Sequence, residues 1–281
     1  MTPDDRPRLT DRAALAANRR RARRAPDPAL FLLQDTAAEL QERLSDVKRS
    51  FTRPAVVTGH PDFWAETLPS ARIVDDAETL DLREGAHDLV VHALALHWAD
   101  DPVGQLVQSR RALVPDGLFL GFTLGGQTLA GLRAALAEAE AALRGGLSPR
   151  VLPMGEIRDL GALVQRAGLV MPVADVFTRT VSYQNTLHLM RDLRAMGEAN
   201  ALAGRARHFT RRDVLMRAAE IHDRTHALPD GRVGARFDLI SLTGWAPGPD
   251  QPQPKRPGSA SVRLADALGS RETPLPDRPG D

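Results

Sequence analysis

The stretch from His87 to Thr128 constrains the fold more than any other, because it sets one amphipathic helix between two apolar runs. Leu89-Val90-Val91 follows Asp88 and leads to a polar corner, His97-Trp98-Ala99-Asp100-Asp101-Pro102. Pro102 suits a first helical turn, where its missing N–H costs nothing, and Asp100 or Asp101 can cap that turn. Leu106, Val107, Ala112 and Leu113 give the helix one apolar face. Val114-Pro115-Asp116-Gly117 reads as the turn that ends it. A second apolar run, Leu118 to Leu124, stops at Gly125-Gly126. Strand, helix, strand is a βαβ crossover, and runs apolar on both faces suit a parallel sheet covered by helices.

With 281 residues, 42% of them apolar, the chain can build one large α/β domain, and with 4% aromatics its core must be mostly Leu, Val and Ala. Cysteine is absent, which excludes disulfides, thiolate metal sites and a cysteine nucleophile. No run approaches the ~18 apolar residues of a membrane span, and the start lacks a signal-peptide core. A cytoplasmic protein is therefore expected. The net charge of +1 gives no bulk reason for a polyanionic partner. Lysine occurs only at positions 48 and 255, so nearly all basic charge is arginine.

Thr10-Asp11 can cap a helix from Arg12 through Arg19, Arg20, Arg21, Arg23 and Arg24, read here as a solvated helix, with a nucleic-acid arm as the alternative. Asp27-Pro28 opens a second helix, to about residue 47. Ala55 to Gly59 reads as the first strand, Phe63 to Leu68 as a short helix and Arg72 to Val74 as a strand. Helices are expected over Thr128 to Leu143, 156–167, 186–198 and 210–226, with strands within Leu169 to Tyr183 and Arg236 to Trp245. From Pro247 the chain turns Pro-rich; Ser261 to Leu268 allows a short helix, and Arg271 to Asp281 reads as disordered.

DLVV, LHW and LVPDGLFL resemble the fourth strand, next helix and fifth strand of class I S-adenosylmethionine (SAM) methyltransferases. More specific stretches are similar to one branch, the methyltransferase-like proteins related to complex I assembly factor 5. They are GGQTLAGLRAALAEAE (125–140), GGLSPR (145–150), RDLGALVQRAGL (158–169), MRDLRAMGEAN (190–200), TGWAP (243–247) and RPGSA (256–260). The resemblance implies a Rossmann-like sheet, mainly parallel with an antiparallel C-terminal strand, and helical additions at both ends. It divides the chain into N-terminal helices (1–50), a methyltransferase-like domain (51–246) and a tail (247–281), with RPGSA docked on the domain. It also implies a role in maturing a respiratory complex I subunit, as enzyme or chaperone, with that subunit as partner. Asp159, Asp192 and Glu198 are then candidates to pair with an arginine-bearing segment.

Two departures weaken the cofactor site. The Gly-rich turn after the first strand is reduced to Gly59-His60-Pro61, with Val56, Val57 and Thr58 where an acidic residue is expected. Only 28 residues, 60 to 87, separate Gly59 from Asp88, whereas one βαβ unit alone takes about 30. The second strand, with its ribose-binding carboxylate, therefore reads as deleted, while Asp75-Asp76-Ala77 resembles the segment after the third. Gly59, Asp76, Ala77 and His97 are the residues expected to hold whatever SAM binding survives. Asp76 resembles the adenine contact, or else caps a turn; His97 faces the ligand, or else packs a corner. His60-Pro61-Asp62 matches the start of a two-His-one-carboxylate iron site, and His222 and His226 share a helix face. The tripeptide alone is a weak signal in a helical chain with a parallel sheet, the two histidines are read as surface residues, and no metal is expected. An active SAM methyltransferase on an unknown substrate and an Arg-rich nucleic-acid binder remain as alternatives.

Overall fold

The computed structural model describes residues 8–249, together with 251, 265–266 and 269–270. Contacts divide the chain into units 1–248 and 249–281, and the sheet and the helices around it all belong to the first. The RPGSA stretch and Arg271 to Asp281 lie outside the described residues. Of Ser261 to Leu268, only Ala265 and Asp266 are described, and both are helical.

Six strands form one sheet in the order β2-β1-β3-β4-β6-β5. They are β1 (Pro54–Thr58), β2 (Arg72–Asp75), β3 (His87–Ala93), β4 (Leu113–Gly125), β5 (Val170–Tyr183) and β6 (Val233–Trp245). β2, β1, β3 and β4 run parallel; β6 is antiparallel to both β4 and β5. Helices cover both faces: α1 (Arg12–Arg23), α2 (Phe31–Val47), α3 (Pro61–Thr67), α4 (Pro102–Ala112), α5 (Ala130–Arg144), α6 (Ile157–Arg166), α7 (Thr186–Ala195) and α8 (Arg212–Thr225). This is the class I methyltransferase-like α/β architecture. One helix and one short strand fill the gap between β1 and β3, as the spacing requires. That strand lies directly against β1, the place of the second strand read as deleted, so that position is filled and it is the outer strand that has no counterpart among the described residues.

Every residue of β1 and of β3 is buried, which is why their middles, Ala55 to Val57 and Leu89 to Val91, read as apolar runs. Val56, Leu89, Val91, Leu118, Leu120 and Phe122 face one core with α2, α5 and α7, whereas Ala55, Val90, Phe119 and Leu242 pack against Leu106 of α4 and Val164 of α6. Each large apolar side chain buried this way contributes about 1.5–3 kcal/mol.

Side-chain caps mark the starts of α1, α4 and α7, where in α7 Asn185 accepts from the His188 N–H. Asp11 accepts from the Ala14 N–H and Asp101 from the Gly104 N–H. Asp100 instead accepts from the Leu9 and Thr10 N–H groups, tying the N-terminus to the α4 corner. Four boundaries differ from expectation by three residues or more; among them, α7 ends at Ala195 rather than 198, and β6 begins at Val233 rather than Arg236. α2 begins at Phe31, not at Pro28. β4 begins at Leu113, because the segment read as a turn leaves α4 already extended and Leu113 pairs with His87 before a register shift. Asp116, at φ 60°, takes up the irregularity.

The GGLSPR stretch has a structural task. Glu140 of α5 accepts from the Ser148 N–H (2.9 Å) and from Arg150 (2.6 Å), and Arg150 donates onward to Thr210 (2.7 Å). The Arg150 hydrogen bond is the main reason the Glu140 carboxyl is lowered to about 2 from an ordinary 4.5. A depressed carboxylate contributes stability that is fully present above its unfolded pKa and is lost as pH falls toward the folded one. Glu140→Gln should therefore flatten part of the acid limb of stability between pH 4.5 and about 2. Urea midpoints against pH for both proteins check this; parallel curves would refute it.

Candidate functional site

The parallel strands end on one side of the sheet, where ligands of open α/β folds bind. Two separate spaces lie there. The first is a cleft of about 470 Å³ between α1 and the ends of β1 and β2, lined by Arg12, Arg19, Arg20, Arg23, Gly59, Asp76 and Ala77. Three of the four expected cofactor residues thus come together. The fourth, His97, lines the second space instead.

Arg19 dominates the cleft. Its side chain is 6% exposed, although it stands in what reads as a solvated arginine cluster. Leu15, Asn18, Arg19 and Ala22 are the buried residues of α1, and their i, i+3, i+4, i+7 spacing marks one face. Arg19 Nη1 donates to both oxygens of Asp76 at 2.9 Å. Arg12 Nη2 adds 3.0 Å to Asp76 Oδ1 and also donates to the Asp76 carbonyl. Burial pushes the Asp76 carboxyl up, but the two guanidinium groups outweigh it and hold the carboxyl below its usual range. Asp76 therefore neutralises α1 rather than capping a turn. The guanidinium also lies flat on Gly59: a Cβ there would sit 2.1 Å from the Arg19 guanidinium carbon. Gly59 is required by Arg19, not only by any cofactor.

The second space is a cavity of about 240 Å³ walled by Leu32, Leu124, Leu132, Leu136, Met190, Leu193 and Phe237. Its polar end holds His97, Trp98, Glu198 and Asn200. Glu198 is the centre of this group. Trp98 Nε1 donates to it, His97 Nε2 lies at 3.5 Å and His60 Nε2 at 3.9 Å. Burial raises the Glu198 carboxyl, yet the hydrogen bonds from His60 and His97 and the charge of Arg19 bring it well below the usual range. Glu198 is thus an anion held inside the protein. The expectation that Glu198 pairs with an arginine-bearing segment is narrowed: the carboxylate stands inside the protein, 14% exposed, so such a segment reaches it only through the cavity. Thr123 Oγ1, 3.3 Å from His97 Nδ1, holds the far side of the imidazole. Leu94, just past β3, takes φ 49°. Left-handed backbone at such a residue costs roughly 1–3 kcal/mol and clusters at functional sites.

The other candidates scatter. Asp159 is exposed and Asp192 half-buried. Asp62 points to solvent in the first turn of α3, apart from His60. His222 is not a surface residue as expected: it is 2% exposed, stacks on His226 at 4.5 Å and meets Thr186 Oγ1 at 2.8 Å. Burial, aided by His226, lowers it to about 4. Among the described residues, no group of three or more His, Asp or Glu side chains is placed to hold a metal ion, and no helix is long and apolar enough to cross a membrane.

A methyltransferase-domain family profile matches residues 36–121. The mouse protein named arginine-hydroxylase NDUFAF5, mitochondrial, is 31% identical over 286 residues, covering 92% of this chain and 83% of its own length. The chain belongs to the NDUFAF5 family. The zebrafish NDUFAF5 protein is 38% identical over 199 residues, 71% of this chain but 62% of the zebrafish protein, under two thirds of its length. Among solved structures, the YcgJ protein from Bacillus subtilis aligns over 74% of this chain and 97% of its own, with 12% identity and a TM-score of 0.48.

Proposed function

We propose that this NDUFAF5-family chain matures a subunit of respiratory complex I by receiving an arginine-bearing segment of that subunit in the cavity of His97 and Glu198. The observation that carries the reading is the Glu198 carboxylate, 14% exposed, at the end of an apolar cavity. An arginine side chain has that polarity: an apolar stem along leucine and methionine, and a guanidinium that pairs with a carboxylate. Glu140 already neutralises Arg150, and Arg194 is an exposed member of the lining, so Glu198 is the anion that would meet the incoming cation. The chemistry fits the name of the NDUFAF5 relatives, which are called arginine hydroxylases.

SAM does not fit the residues of the cleft in its usual seat. Arg19 covers Gly59 and Asp76 is committed to two arginines. One short strand stands where two are expected. No step is therefore routed through SAM. An active SAM methyltransferase is the second reading, favoured by the domain match over residues 36–121.

The test is genetic and chemical together. Deleting the gene should lower assembled complex I, and Leu193→Trp, which fills the cavity, should restore it poorly while unfolding at the parent's denaturant midpoint. Subunits captured by the protein should carry an arginine modification that the deletion strain lacks. A mass gain of one oxygen supports the arginine-hydroxylase chemistry, and a gain of a methyl group supports the second reading. Normal complex I in the deletion strain rules both out as required assembly roles.

A further inference from the structure

β5 ends the sheet and pairs with a strand, β6, on one side alone among the described residues. At 14 residues it is also the longest strand described. Proteins usually blunt such an edge with lysines, a covering helix or a very short strand. This one carries no lysine and instead exposes Val173 (50%), Val176 (49%) and Phe177 (51%), on both faces of the strand. Its start alone is blocked: Pro172 offers no N–H, and Met171, at φ 49°, sits at a register shift between Val170 and Val173. The open length is Val173 to Val181.

We propose that this edge pairs with the same edge of a second copy, antiparallel about a two-fold axis through Phe177, to make one continuous sheet with six strands from each copy. The charges choose the partner and the register. Under a two-fold normal to the sheet, a residue can face only residues of its own parity. Centring on Asp175 or on Arg179 sets like charges against each other. Centring on Val176 or Thr178 leaves both charges facing Val or Phe. Centring on Phe177 sets Asp175 against Arg179 twice, Val173 against Val181 twice and Phe177 against itself. Both charged groups already have partners on α2, Asp175 with Arg43 at 3.0 Å and Arg179 with Asp35. Across the axis each gains one more neighbour of opposite sign, in the alternating row Arg43, Asp175, Arg179, Asp35. Like charges directly opposite in a sheet destabilise it, and opposite ones stabilise it. A self-complementary strand is what an isologous contact needs.

Sedimentation equilibrium of the full chain across a concentration series tests the proposal. The expected mass rises to twice that of the monomer. Phe177→Glu, which puts two carboxylates on the axis, should leave a monomer with the parent's circular dichroism and thermal midpoint. Asp175→Arg should weaken the dimer, and the double reversal Asp175→Arg/Arg179→Asp should recover it, because the pairing survives exchange of signs. A monomer at every concentration overturns the proposal. So does a dimer that is indifferent to all three variants, which places the contact elsewhere. If the monomeric chain instead captures a strand of a complex I subunit at this edge, the occupant is that subunit and the second-copy assignment fails. Complex I levels in the Phe177→Glu strain separate this outcome from the proposed function, which does not depend on the dimer.

Discussion

Asp76→Ala should cost more stability than any other single surface-cleft substitution, about 3–5 kcal/mol, because it strands a buried cation. Arg19 is 5% exposed, and its Nε and Nη2 atoms already lack hydrogen-bond partners. Asp76 supplies both of its side-chain hydrogen bonds. Arg12, 37% exposed, can turn to water when Asp76 is lost, but Arg19 cannot. Asp76→Asn, which keeps the shape and removes the charge, should fall between the parent and Asp76→Ala. The double variant Arg19→Met/Asp76→Leu should cost less than Asp76→Ala alone, since replacing both members of a buried pair by apolar groups avoids the uncompensated charge. Urea unfolding with a common slope measures all of these. A loss below about 1 kcal/mol for Asp76→Ala would mean that water reaches Arg19 and that the cleft is wetter than its geometry indicates.

The parts of the fold that were legible in the sequence are those where one physical demand acts alone. β3, α4 and β4 announce themselves because helices cover both faces of the sheet, so Leu89 to Val91 and Leu118 to Phe122 carry no polar side chain. The shortened first half followed from chain length, since 28 residues cannot hold two strands and two helices. Two of the misplaced boundaries lie where two demands compete. Pro28 is a good first helical residue, yet the chain enters α2 only at Phe31, whose ring meets Phe237 at 5.7 Å and 80°. Leu113 carries the helix periodicity of α4, yet strand pairing with His87 claims it.

The candidate site was legible in half. Gly59, Asp76 and Ala77 do meet in one cleft, as resemblance implied. What they meet there was not legible, because a charged residue in an arginine run is ordinarily solvated and nothing local marks Arg19 as different. The signal was present in the spacing of Leu15, Arg19 and Ala22 on one helical face. Glu198 was noticed, but its place inside the protein was not legible. Its partners His97, Trp98 and His60 are about a hundred or more residues away in sequence, and no periodicity reports contacts that distant.

Calorimetric titration with SAM should give no saturable heat up to about 1 mM ligand, that is, binding weaker than roughly −4 kcal/mol where a micromolar site gives about −8. Three independent features set this expectation. Arg19 fills the space over Gly59, so ligand entry must break two hydrogen bonds of 2.9 Å and move a buried cation. Pro61 removes an N–H from the start of α3 and fixes its φ, so the helix end offers one donor fewer to a ligand carboxylate. β2 is the only strand described on that side of β1, so no outer strand backs the cleft, although Asp75 at the end of β2 still offers it a carboxylate. Arg19→Ala removes the first obstacle and leaves the other two, and its affinity should stay in the millimolar range. Micromolar binding by the parent would overturn the closed-seat reading and favour the methyltransferase one. Micromolar binding by Arg19→Ala alone would show that Arg19 is the whole barrier, making α1 a removable cover on a competent site.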